Sequence, residues 1–195
     1  MKRMAFSDDM MRALAAGEKT MTRRIEKRAV PAEDWCVPWV VQEPVLARRK
    51  IPSSISPEIL RPPHKVGEII AATCAFWIND SGESRTGADY RFEHPSFESE
   101  PCYGRATPAR VMPASIAPFV LRITGAKAER LDEISNDDAA REGMLHWARK
   151  TNVTGAEPRK IFAEYWARLY GDGSLARDRN SWVWAYTFEV AERRI

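Results

Sequence analysis

Long apolar runs are missing from this chain. None approaches the roughly 18 residues needed to cross a bilayer, and the opening Met1-Lys2-Arg3-Met4-Ala5-Phe6, followed by Asp8 and Asp9, has no apolar centre of the kind that marks a secretion signal. A cytoplasmic location without membrane contact is the expectation. Cysteine and histidine are scarce, at three residues each. Cys36, Cys74 and Cys102 form no C-x-x-C pair, which speaks against a disulfide framework and a zinc knuckle. His64, His94 and His146 are scattered, so a metal site would require long-range convergence, and neither metal nor cofactor is expected. Excess charge is lacking as well: 30 Lys and Arg face 27 Asp and Glu, a net of +3. The whole protein is therefore no polycation, and attraction to nucleic acid has to come from local clustering.

Apolar residues make up 44% of the 195 and aromatics 10%. That suffices for one domain burying about 70% of its unfolded surface, read here as residues 1–195 with insertions at about 29–65 and 93–111. Ser7, Asp8 and Asp9 predict a helix start, with Met10, Met11 and Leu14 as its buried stripe and Gly17 as its stop. Lys19-Thr20-Met21-Thr22-Arg23-Arg24-Ile25 reads as a turn running into a strand. Between 29 and 65, Pro31, Pro38, Pro44, Pro52, Pro57, Pro62 and Pro63 interrupt almost every possible element, which predicts an inserted arm packed by Trp35 and Trp39.

The apolar run Ile69 to Trp77 suits one strand buried on both faces, and a further strand is expected around Asp89-Tyr90-Arg91-Phe92. Phe119 to Thr124 is a strand that Ala126 to Leu131 continues or flanks. Ser135-Asn136-Asp137-Asp138 opens a short helix closed by Gly143. A second helix starts near Pro158 and carries Ile161, Phe162, Tyr165, Trp166, Leu169 and Tyr170 before Gly171. Trp182, Trp184, Tyr186, Phe188 and Val190 alternate as a closing strand.

Several of these stretches resemble the ASCH family, a branch of the PUA-like β-barrels, in the version carried by phages and prophages. The likeness lies in Phe6-Ser7-x-x-Met10 through Gly17-x-Lys19-Thr20-x-Thr22-Arg23-Arg24, then Gly67-Glu68 and Met112-Pro113. It continues in Ile123-Thr124, Glu129-Arg130-Leu131, Ile134-Ser135-x-x-Asp138-Ala139-x-x-Glu142-Gly143-Met144 and Trp182-x-Trp184-x-Tyr186-x-Phe188. Ala71-Ala72-Thr73-Cys74 and Ala114-Ser115 stand where phage relatives carry charged and aromatic residues. The resemblance implies an α+β fold: a PUA-like/ASCH β-barrel with flanking helices and, here, a long Pro-rich insertion. It further implies RNA or a modified nucleotide as ligand, with a pocket formed by Lys19, Thr22 and Glu142. Some small family members are amidohydrolases that deacylate N4-acetylcytidine, and by resemblance the catalytic roles fall on those same three residues.

The chemistry suits them. Thr22 offers a nucleophilic hydroxyl, Glu142 a general base and acid, and Lys19 an oxyanion partner or activator of Thr22. Lys19 and Thr22 would face opposite ways in an ideal strand, so convergence requires Lys19 to sit in the turn after Gly17. Thr20, Arg23, Arg24, Lys27 and Arg28 are the candidate nucleic-acid contacts. Each has a plainer reading beside it. The basic segment can be a charged edge strand, the threonines ordinary strand residues, Glu142 a surface carboxylate, and the terminal aromatics core rather than stacking platforms. Trp35 and Trp39, with Arg48-Arg49-Lys50, could stack bases and hold phosphates, or the arm could capture a phage or host protein partner.

Overall fold

The computed structural model describes residues 1–29, 32–38, 44–48, 58–78, 88–95, 106–153, 155–170 and 181–195. The chain opens with β1 (Lys2–Ala5), α1 (Asp8–Ala15) and β2 (Met21–Ile25), then runs through the short strands β3 (Trp35–Cys36), β4 (Leu46–Arg48) and β5 (Ile59–Leu60). β6 (Ile69–Thr73), β7 (Phe76–Ile78), β8 (Ala88–Tyr90) and the long β9 (Phe119–Arg130) follow. Three helices, α2 (Asn136–Arg141), α3 (Met144–Lys150) and α4 (Pro158–Tyr170), precede the closing β10 (Trp182–Arg193). The fold is mixed α+β.

Local chemistry places most of these elements. The Ser7 hydroxyl accepts from the Met10 N–H at 3.4 Å, and Asp8 and Asp9 occupy the first turn of α1. Gly17, at φ +73°, ends it. The Ser135 hydroxyl accepts from the Asp138 N–H at 3.1 Å and starts α2. In β10, Trp182, Trp184 and Tyr186 are all buried, the two indoles donating to Ala32 O and Glu26 Oε2, both at 2.9 Å. The terminal aromatics are therefore core.

The principal sheet has the order β1-β6-β9-β10-β2. Its edge strands, β1 and β2, share no backbone ladder among the described residues, so the expected closed barrel is corrected to an open, five-stranded sheet. Both edges are short, four and five residues, which leaves little main chain for a closing ladder. A side chain joins them instead, as Arg24 Nη2 of β2 donates to Ala5 O of β1 at 2.6 Å.

Other expectations are corrected too. The apolar run at 69–77 splits at Cys74, so that β6 joins the large sheet and β7 pairs with β8. α3 follows α2 directly, and β1 lies where the sequence showed no strand signal, whereas Phe119 to Arg130 is one strand, the first of the two expected alternatives. Within the Pro-rich stretch, β3, β4 and β5 form a small antiparallel sheet on which Trp35 is 1% exposed, packed rather than free to stack a base. Trp39, Arg49, Lys50 and Cys102 lie outside the described residues. Among the described residues no helix is long and apolar enough to cross a membrane.

Candidate functional site

Strand register sorts the candidate residues onto two faces. Arg23 pairs with Ala185, which pairs with Lys127, and Ile25 pairs with Val183, which pairs with Glu129. Alternation therefore puts Arg23, Lys127 and Glu129 on one face. This face meets the helices, because Arg23 bonds Asp138 of α2 and its guanidinium lies 5.9 Å from the Phe162 ring of α4. Thr22 pairs with Tyr186, and Arg24 with Trp184, on the opposite face.

The helical face holds a closed ionic network. Lys19, in the turn before β2, donates from Nζ to Met21 O and Glu142 O, both at 2.7 Å, and to Glu142 Oε2 at 2.9 Å. These three bonds use every ammonium hydrogen. The other carboxylate oxygen of Glu142 accepts from Arg23 Nη1 at 3.1 Å. Arg23 also donates from Nε to Glu129 at 2.6 Å and from Nη2 to Asp138 at 2.8 Å. Lys127 closes the ring on Glu129 at 2.7 Å and Asp138 at 3.1 Å. Three cations meet three carboxylates, and this neutrality lets the Lys19 and Arg23 side chains lie at 1% and 0% exposure.

Backbone geometry locks the network in place. Thr20 N–H donates to Arg141 O at 2.9 Å, Arg141 Nε reaches the Thr20 hydroxyl at 3.3 Å, and Phe188 N–H donates to Thr20 O at 3.0 Å. Gly143 turns the chain at φ +90°, where a Cβ would stand 2.9 Å from Ala13 Cβ and 3.5 Å from Lys19 Cβ. Only glycine fits both the backbone and the space. Burial pulls the Lys19 pKa below its ordinary value, and the Glu142 charge only partly restores it. Burial pushes Asp138 upward, but bonds from Lys127 and Arg23 outweigh it and leave the carboxyl below its ordinary value. For Lys127 burial pulls downward, and Glu129 and Asp138 override it.

The sequence-predicted residues thus divide. Lys19 and Glu142 come together, with Lys19 in the turn as required. No hydrogen bond recorded among the described residues joins Thr22 to either, and Thr22 is buried on the far face of β2 from Arg23. Arg23, expected to face phosphates, is instead consumed by three carboxylates, since an unpaired guanidinium at that depth would be prohibitively costly. Arg24 is half-buried, its guanidinium 5.1 Å from the Phe6 ring. Lys27 and Arg28 are exposed, Arg28 gripping Glu26 through Nε at 2.8 Å and Nη2 at 2.6 Å.

Glu129, Asp138 and Lys127 were given no role from sequence, although the first two stand inside the quoted motif blocks. Tyr186 and His64 were likewise missed. By sequence alone Tyr186 is one more strand aromatic and His64 a scattered histidine. Their rings meet edge to face at 5.5 Å on the Thr22 side of the sheet. On the helical side, a cavity of about 200 Å³ is lined by Leu131, Ile134, Phe162 and Trp166, with Asp132 and Arg159 among its walls. Among the described residues no cluster of His, Cys, Asp and Glu could hold a metal ion.

No family model matches the chain, and no curated protein matches it significantly. Two solved structures are similar to it. One is a protein from Enterococcus faecalis V583 with the family description DUF984, at 12% identity and a TM-score of 0.42, over 99% of this chain and 82% of that one. The other is an ASCH domain from Lactobacillus crispatus JV V101, at 14% identity and a TM-score of 0.33, over 92% of this chain and 68% of that one.

Proposed function

We propose that the protein is an RNA- or modified-nucleotide-binding module of the ASCH kind. A fixed ionic frame stands behind β2, and the exposed cations Lys27 and Arg28 continue the chain from that strand toward solvent. One observation supports this reading above others: the two sequence blocks that carry the resemblance meet in space. Lys19 and Arg23 from the first are bonded to Glu129, Asp138 and Glu142 from the second. Motif residues that define a binding frame are expected to hold one another in this way. Single-stranded RNA and the Lys27→Ala/Arg28→Ala variant supply the test, since Arg23 is too deeply built into the frame to be substituted cleanly. Retention of RNA is expected to fall at least several-fold in the variant, and equal retention by both proteins would overturn the reading.

A second reading, hydrolysis of an N4-acetylcytidine-type amide, draws support from the contact of the Lys19 ammonium with the Glu142 carboxylate, although Thr22 lies on the other face of β2 from Arg23. Saturation of Lys19 and Glu142 by each other and by Arg23 favours the binding reading over it. Cytidine released from N4-acetylcytidine by the wild-type protein and not by Thr22→Val would reverse that preference.

A further inference from the structure

On the face of the sheet opposite the helices, the face that also carries Arg24, two buried polar atoms have no hydrogen-bond partner: Tyr186 Oη and His64 Nδ1. The Tyr186 side chain belongs to a residue at 0% exposure and His64 to one at 9%. Leaving such groups unsatisfied is costly, and native proteins retain very few. Here two occur in rings that touch. His64 Nδ1 lies 3.5 Å from Glu68 Oε2 without hydrogen-bond alignment, and the nearby His64 backbone gives the Tyr186 hydroxyl no bond of standard geometry either. Burial lowers the histidine pKa against the opposing Glu68 charge, and pushes the phenol up to about 12. Tyr186 can thus donate or accept, and His64 Nδ1 can do one or the other according to tautomer.

Thr22 lies beside Tyr186 in register. Arg24, over the Phe6 ring, spans the seam between the β2 and β1 edges to Ala5 O. Cation and aromatic faces of this kind stack unpaired bases in RNA recognition. We propose that this seam receives a nucleobase, its donor–acceptor edge satisfied by Tyr186 Oη and His64 Nδ1. The proposal rests on the nucleotide-binding reading and adds where the base is read and by which atoms.

Tyr186→Phe removes one oxygen and leaves the ring packing. Calorimetric titration of the wild type and this variant with the four ribonucleoside 5′-monophosphates and with a short single-stranded RNA, together with thermal melts of both, provides the test. The expected result is a loss of at least tenfold in affinity for whichever of these ligands binds, with an unliganded Tm that holds or rises because an unpaired buried hydroxyl is gone. Loss for monophosphates identifies free nucleotides as ligands, and loss for RNA alone identifies a base within a strand. Equal affinity in the two proteins, or a Tm that falls by several degrees in the variant, would overturn the slot while leaving RNA binding elsewhere on the surface intact. Failure of the wild type to bind any of these ligands would overturn the nucleotide-binding reading itself.

Discussion

Glu142 accepts twice from the ammonium of Lys19, through its main-chain carbonyl at 2.7 Å and its side chain at 2.9 Å, across a sequence separation of 123. Because both the backbone and the carboxylate take part, the contact fixes the end of α2 against the turn before β2. It also orients the oxygen that Arg23 uses.

Removing one partner from this pair strands the other. Lys19→Met leaves a carboxylate at 5% side-chain exposure with only Arg23 opposite, and Glu142→Gln leaves two buried cations short of charge. Each is expected to cost about 3–5 kcal/mol, read as a drop in the urea midpoint. The double variant Lys19→Met/Glu142→Leu should cost less than the sum of the single ones, with a coupling of about 1–3 kcal/mol. Additive losses, or single losses below about 1 kcal/mol, would show that the pair does not act as a unit.

Gly143→Ala should be disproportionately harmful. It combines a left-handed backbone at φ +90° with a Cβ forced to 2.9 Å from Ala13 Cβ, and a loss of roughly 1–3 kcal/mol is expected. Gly155, at φ +73° with nothing within 4 Å of the added carbon, is the internal control and should tolerate alanine better. Equal losses at the two positions would mean that the approach to α1 carries no strain.

Acidification should unlock the network. Asp138 has a folded pKa below its unfolded value of 3.8, so its contribution is complete above that value and is lost as the pH falls through the folded pKa. Glu26, lowered because the Arg28 and Trp184 bonds outweigh burial, acts in the same direction from its value of 4.5 downward. Denaturation midpoints measured between pH 3 and pH 7 should therefore fall toward the acid end, and Asp138→Asn should flatten that fall. An unchanged slope in the variant would remove Asp138 from the ion network's account of stability.

Much of the framework could be read from local pattern. Helix α1 follows from Ser7, Asp8 and Gly17, α2 from Ser135 and Gly143, and β10 from strict alternation of its aromatics, because caps and periodicity are written in neighbouring residues. Of the three residues that the motif blocks group, Lys19 and Glu142 are in contact and Lys19 occupies the turn, whereas Thr22 lies on the other face of β2. Arg23 misled because its charge is visible in the sequence whereas its three carboxylate partners come from positions 129, 138 and 142. Barrel closure was misjudged because the ladder between edge strands is a tertiary property, and β1 itself pairs in parallel with a strand more than sixty residues away. Tyr186 and His64 carried no sequence signal beyond residue type. Their significance comes from unmet hydrogen bonds, which exist only once the fold is built.

The most direct test of RNA binding is the salt dependence of affinity for a short single-stranded RNA, measured by fluorescence anisotropy between 50 and 300 mM monovalent salt. With Lys27 and Arg28 meeting about two phosphates, log K should fall linearly with log salt at a slope of roughly −1.4, and the Lys27→Ala/Arg28→Ala variant should flatten it. Affinity independent of salt, or absent throughout the range, would contradict the account.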